Sequence, residues 1–141
     1  ALTAMPPPSS IHIAVTWMIV GLIWVVQLLV YPQFLRVAAK EFKDYHFAHC
    51  FRIGLIIAPV LFVEISSAAW LVYEGRRTLP FLISIGLIVI VWLCTAAFQA
   101  PIHLRLMRGY DAAFIRKLIL TNWIRTLAWT TRGFLVSLAL S

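Results

Sequence analysis

Charge is scarce in this sequence, and acidic charge scarcer still. Only 12% of the 141 residues are charged, with five Asp and Glu against twelve Lys and Arg. There are two cysteines, Cys50 and Cys94, and no C-x-x-C pair. That excludes a disulfide framework and gives no zinc signature, so two buried, inert thiols are expected. No H-E-x-x-H, Gly-rich phosphate loop or nucleophile elbow occurs, so no motif names a specific chemistry. The basic residues are divided between loops and accompany no nucleic-acid motif, so nucleic acid is not an expected partner.

What the chain has in abundance is apolar length. It is 62% hydrophobic, with a mean hydropathy of +0.93. Four apolar stretches, 11–31, 53–73, 80–100 and 118–140, each have the ~20 residues that a helix needs to cross ~30 Å of hydrocarbon. The expected fold is all-α: one integral membrane domain over 1–141, a four-helix bundle in the lipid bilayer. The start, ALTAMPPPSS, lacks a basic n-region, and the following apolar run is long enough to span, so a cleavable signal peptide is not expected. Ser9 or Ser10 can cap the first helix after an extended Pro6–Pro8 run.

Placement of the positive charge gives the topology. Arg36, Lys40, Lys43, Arg52, Arg105, Arg108, Arg116 and Lys117 fall in the loops after spans one and three, whereas the middle loop has Arg76 and Arg77 alone. The positive-inside rule then puts both basic loops in the cytoplasm of a bacterial inner membrane and both termini outside. The first loop is long and amphipathic, with Phe34, Val37, Phe42, Tyr45 and Phe51 at helical spacing. An interfacial helix between spans one and two is expected there. Pro32 should limit span one, and Pro59 should kink span two. A faint repeat links Pro32 and Arg36 to Pro101 and Arg105, as two related helical hairpins would.

The costliest stretch is TNWIRTLAWTTR, residues 121–132. Asn122, Arg125, Trp129 and Arg132 share one face of its helix. An arginine at bilayer depth costs at least ~2.5–3.5 kcal/mol, so two of them need partners. Glu64 is the only acid within a span. Counted along the helices it lies ~16 Å above the inner edge, between Arg125 at ~10 Å and Arg132 at ~21 Å. A buried ion pair of Glu64 with Arg125 and Arg132 is the structural expectation. The functional alternative is spare positive charge for an anionic headgroup, a quinone oxygen or a propionate. Trp129 shares the stripe and can support a guanidinium.

A second cluster is histidine. His46 and His49 sit where the first loop enters span two, and His103 ends span three on the same side. Gln27, Tyr31, Gln99 and Asn122 fall in the same layer. Four readings stand: imidazoles at headgroup level, axial ligation of haem or a chlorophyll-type pigment, a metal centre of His46, His49 and His103, or acid–base chemistry by one histidine. His12, near the outer end of span one, is expected at the interface.

YPQF at 31–34, YHFAH at 45–49, Glu64, QAPIH at 99–103 and TNWIRTLAW at 121–129 together resemble a family of small, uncharacterised bacterial four-span membrane proteins. The N-W-x-R-T run also resembles anthrone-oxygenase-like membrane proteins. The first resemblance implies the architecture and no established activity; the second implies cofactor-poor oxygenation of an aromatic substrate.

The leading expectation is a polar pocket near the cytoplasmic leaflet, built from His46, His49, Glu64, Gln99, His103, Asn122, Arg125 and Arg132. It would bind a haem, metal, pigment or quinone-like ligand, with redox chemistry as one use and enzymatic activity left open. The competing expectation is an accessory subunit of a larger respiratory or photosynthetic complex, or a homo-oligomer. A transporter or channel is a third, but four spans need oligomerisation to form a conventional pathway, and the charges pair rather than line a pore.

Overall fold

A computed structural model describes residues 7–141, and every regular element among them is helical. Four long helices follow one another: α1 (Pro8–Phe34), α2 (Phe42–Tyr73), α3 (Leu79–Leu106) and α4 (Ala112–Leu140). The first three are long and apolar enough to cross a membrane. Helix α4 is as long, but Arg116, Lys117, Arg125 and Arg132 lower its hydropathy below theirs. Helix α1 packs on α2 and α4, and α4 packs on α3; α2 and α3 have no extensive contact.

Beside an apolar core, this fold buries an unusual number of polar side chains and exposes many large apolar ones. Buried side chains include His12, Gln27, His46, Glu64, Gln99, Asn122 and Arg132, while Leu55, Phe62, Leu93, Leu120 and Leu138 are more than half exposed. Such a surface suits contact with a lipid bilayer, where exposed apolar groups cost nothing and polar groups must find partners inside.

Prolines shape the helices without ending them. Pro32 and Pro101 each lack the N–H that an α-turn needs. In both places the preceding turn widens to a π-turn, over Val26–Val30 and Thr95–Gln99. Tyr31 N–H then reaches Val26 O, and Ala100 N–H reaches Thr95 O. Helix α1 therefore runs on past Pro32, where the sequence pattern predicts its limit. The matching π-turns and prolines in α1 and α3 extend the faint repeat from residue identity to backbone geometry.

The connections are tight. Residues 35–41 form turns and carry no separate helix. The amphipathic segment expected on the interface is instead the first three turns of α2, continuous with its apolar part. Its aromatic residues explain why: Phe34 and Phe42 are fully buried and meet edge to face, with ring centroids 5.9 Å apart. Burying these two rings anchors the turn against the helices rather than on a lipid surface. Helix α2 ends in a Schellman motif, with Gly75 at φ 85°, Arg76 N–H on Leu71 O and Gly75 N–H on Val72 O. Asp111 caps α4 by accepting from the Ala113 and Phe114 amides at 3.1 and 3.2 Å. The extended flank expected before α1 lies largely outside the described residues. Ser9 and Ser10 are already helical, and the N-cap position is Pro7.

Candidate functional site

Two polar clusters occupy the interior. Toward the outer ends of α1, α2 and α4, counted from the turn that joins α2 to α3, lies the Glu64–Arg132 ion pair, with both side chains fully buried. Arg132 also donates to Thr16 Oγ1 at 2.9 Å and to His12 Nε2 at 3.0 Å. Because a guanidinium only donates, His12 Nε2 accepts, and Nδ1 gives its proton to Ser67 Oγ at 2.7 Å. The Trp129 ring lies 5.3 Å from the Arg132 guanidinium carbon. His12 is thus a fully buried member of the network rather than an interfacial residue. Its spacing from Thr16, one helical turn on the buried face of α1, was the available signal.

Arg125 does not join this pair. Its Nη1 donates to Asn122 Oδ1 at 3.0 Å, and Asn122 in turn donates to Gln27 Oε1 at 2.8 Å. The depth count that brings Glu64 level with both arginines starts α2 at Ile53. Helix α2 begins at Phe42 and α4 at Ala112, so Ile53 and Leu118 are not matching helix ends.

The inner cluster joins α1, α2 and α3. His46 Nε2 and His103 Nδ1 are 2.9 Å apart, and Cys50 Sγ is 3.7 Å from each. Tyr31 Oη is 3.1 Å from His103 Nε2. The local sequence explains the convergence. His46 and Cys50 are one turn apart on α2 and so share a face. A π-turn adds a residue to the helical ladder and rotates the residues after it; Tyr31 comes directly after one π-turn, and His103 lies in the turn after the other. Phe42 stacks on His46 with ring centroids 5.5 Å apart, and Phe34 meets His46 edge-on, fixing the imidazole from two sides.

His46, Cys50 and His103 each offer one ligand atom, all within 4.8 Å of one another, and this group could hold a metal ion. Metal bonds of about 2.0–2.1 Å to nitrogen and 2.3 Å to sulfur separate tetrahedral ligand atoms by roughly 3.3–3.6 Å. The two nitrogen–sulfur distances of 3.7 Å nearly meet this, and the nitrogen pair at 2.9 Å needs to open only slightly. Two axial imidazoles on one haem iron would need nitrogens about 4 Å apart on opposite sides of it, by comparable bond lengths. His46 and His103 do not form that arrangement. His49, expected as the third ligand, turns instead onto Phe34, with ring centroids 5.0 Å apart. Cys50, expected to be inert, takes the place beside the two nitrogens.

A half-enclosed cavity of about 520 Å³ adjoins the cluster. His49, Cys50, His103, Tyr31, Gln99, Thr95 and Arg125 provide its polar wall; Ile19, Ile23, Ile57, Val91, Trp92 and Trp129 are among its apolar residues. Gln99 donates to Thr121 Oγ1 at 2.9 Å, which ties this wall to α4. Asn122 and Arg132 lie outside the lining, and so does Glu64. The expected single pocket is therefore two separate arrangements, one around the cavity and one sealed. No protein-family model matches the chain, and no curated protein or solved structure does either. The site is read from its own geometry.

Proposed function

We propose that this chain is a four-span inner-membrane protein that binds one transition-metal ion at His46, Cys50 and His103, at the edge of a lipid-accessible cavity. The observation that carries the reading is the approach of three ligand atoms from two helices to within 4.8 Å of one another beside that cavity. Two imidazoles and a thiolate suit zinc or copper among the common metals. Three protein ligands leave a position for a substrate or water, the pattern of reactive rather than purely structural zinc sites. Tyr31 beside His103 Nε2 supplies the outer hydrogen bond that metal-binding imidazoles commonly use. When bound, the ion would polarise an oxygen or, as copper, exchange an electron.

Helix α4 is read as the fourth span. Its charged residue Arg132 faces inward to Glu64, while Leu120, Ile124, Leu127, Phe134 and Leu138 form an exposed apolar stripe at helical spacing. The basic loops then put the metal ligands on the cytoplasmic side.

Metal titration of purified, chelator-treated protein tests the proposal. Cobalt(II) should bind at one equivalent and give thiolate-to-metal absorption in the near ultraviolet, and zinc should displace it. Cys50→Ala should abolish the absorption, and His49→Ala should keep it. Binding of no metal, or a signal that survives Cys50→Ala, sinks the reading.

A further inference from the structure

We infer that Arg125 marks a second subsite in this cavity, which takes a lipophilic molecule carrying one oxyanion head and arriving from the bilayer between α2 and α3. The inference rests on the cavity of the proposed site but not on the metal. Among the described residues, no carboxylate lies within ion-pair distance of Arg125. One of its nitrogens donates to Asn122, and its Nε, like that of Arg132, is buried without a partner. A guanidinium has five donors, and in an apolar wall the unmet ones and the charge itself are costly. The other intramembrane arginine, Arg132, has a carboxylate, a hydroxyl and an imidazole as partners. Arg125 lacks that carboxylate and lines the cavity. An oxyanion on the ligand would supply what Glu64 supplies to Arg132, with the planar two-point geometry that arginine favours.

The remaining wall decides the rest of the ligand. Apart from its few polar groups it is aliphatic or aromatic, and about 520 Å³ lies within the ~300–1,000 Å³ range of small-molecule sites. Helices α2 and α3 have no extensive contact, and the cavity is lined from both, by Ile53, Ile57 and Leu61 on one side and Val91 and Trp92 on the other. Both helices carry exposed apolar side chains, among them Leu55 and Ile56 on α2 and Val89 and Ile90 on α3. A molecule dissolved in the bilayer would reach Arg125 between them without crossing the basic loops. A fatty carboxylate and a lipophilic phenolate share the required chemistry.

Trp92 and Trp129 line the cavity, so tryptophan quenching reports occupancy in detergent-solubilised, chelator-treated protein. Brominated oleate, its methyl ester and an alkylated nitrophenol are titrated in parallel. The carboxylate should bind about tenfold or more tightly than its ester, the range for hydrogen bonds to a charged group. Arg125→Gln should bring the two to near equality, and Arg125→Lys should keep part of the preference. Arg-dependent binding of oleate alone assigns a fatty acid, of the nitrophenolate alone an aromatic acid, and of both the shared oxyanion. Equal binding of acid and ester by the unaltered protein, with no Arg-dependent binding of the nitrophenolate, overturns the inference, and the first comparison needs no variant. Titrating metal into the unaltered protein separates this subsite from the metal: acid preference without metal binding sinks only the metal reading, and metal binding without acid preference or Arg-dependent binding of the nitrophenolate sinks only this one; in Cys50→Ala the acid preference should persist.

Discussion

His12 and His103 are both histidines on long apolar helices, held by neighbours on other helices, but their surroundings differ. His12 lies in a network with no exposed side chain: Glu64 and Arg132 neutralise each other, Thr16 accepts from Arg132, Ser67 bonds His12, and the Trp129 ring lies beside the guanidinium. His103 lies against His46 and a thiol, without a carboxylate, beside a half-enclosed cavity. A sealed network whose charges are paired fixes which helices meet and at what register. An incomplete one at a cavity leaves donors and acceptors for a ligand. Of the two costly arginines, Arg132 is therefore the less informative about chemistry, because its charge is met internally by Glu64.

The sharpest way to break the comparison is to leave a charge stranded in the sealed cluster. Glu64→Ala removes the only carboxylate near Arg132. Loss of one partner of a buried pair costs about 3–5 kcal/mol. Denaturation in mixed detergent should show a loss of that order, while Glu64→Leu with Arg132→Leu should recover most of it. A Glu64→Ala protein of unchanged stability would mean that the outer cluster is not the scaffold.

The inner cluster should respond in the opposite sense. His103→Ala removes a ligand and a partner of Tyr31 but strands no charge. Metal affinity should fall by more than the ~10–100-fold that outer hydrogen-bond partners alone control, with little change in the denaturation midpoint. Isothermal titration and the same denaturation assay read the two quantities. If stability falls and affinity does not, the cluster is a second piece of scaffold. Tyr31→Phe is the milder version: it deletes one hydroxyl near His103 Nε2, and affinity should fall by ~10-fold with the fold intact.

How much of this is legible in the sequence depends on the kind of signal. Three helices long and apolar enough to cross a membrane follow from apolar length alone, a property of composition over many residues. Their inner ends do not, since the amphipathic pattern of residues 42–52 is shared by a surface helix and by a helix that packs Phe42 and His46 inward. The π-turns are hidden as well. Proline predicts a lost hydrogen bond, but whether the helix stops or widens depends on packing beyond it, here the burial of Tyr31 and Phe34. Of the inner ligands, His46 and His103 stand out by residue type. Cys50 does not, because a lone cysteine in an apolar segment is usually inert, though its position one turn after His46 is the spacing of a chelating pair. Helical phase along α2 favours Cys50 over His49 once the face of His46 is known.

The smallest effect sharpens the comparison within the sealed cluster, by asking whether its hydrogen bonds matter as its charges do. Thr16 Oγ1 accepts from Arg132 and donates to His12 O, at 2.9 and 2.8 Å. Thr16→Val keeps the shape and removes both bonds. The guanidinium retains its carboxylate and its contact with His12, so no charge is stranded. Interhelical hydrogen bonds inside membranes average about 0.6 kcal/mol and reach about 1.7 kcal/mol. Thr16→Val should therefore destabilise the protein within that range, well below Glu64→Ala, and leave metal titration unchanged. A loss as large as that of Glu64→Ala would show that the ion pair holds only while its outer bonds are complete, making the sealed cluster one cooperative unit rather than a pair with trimmings.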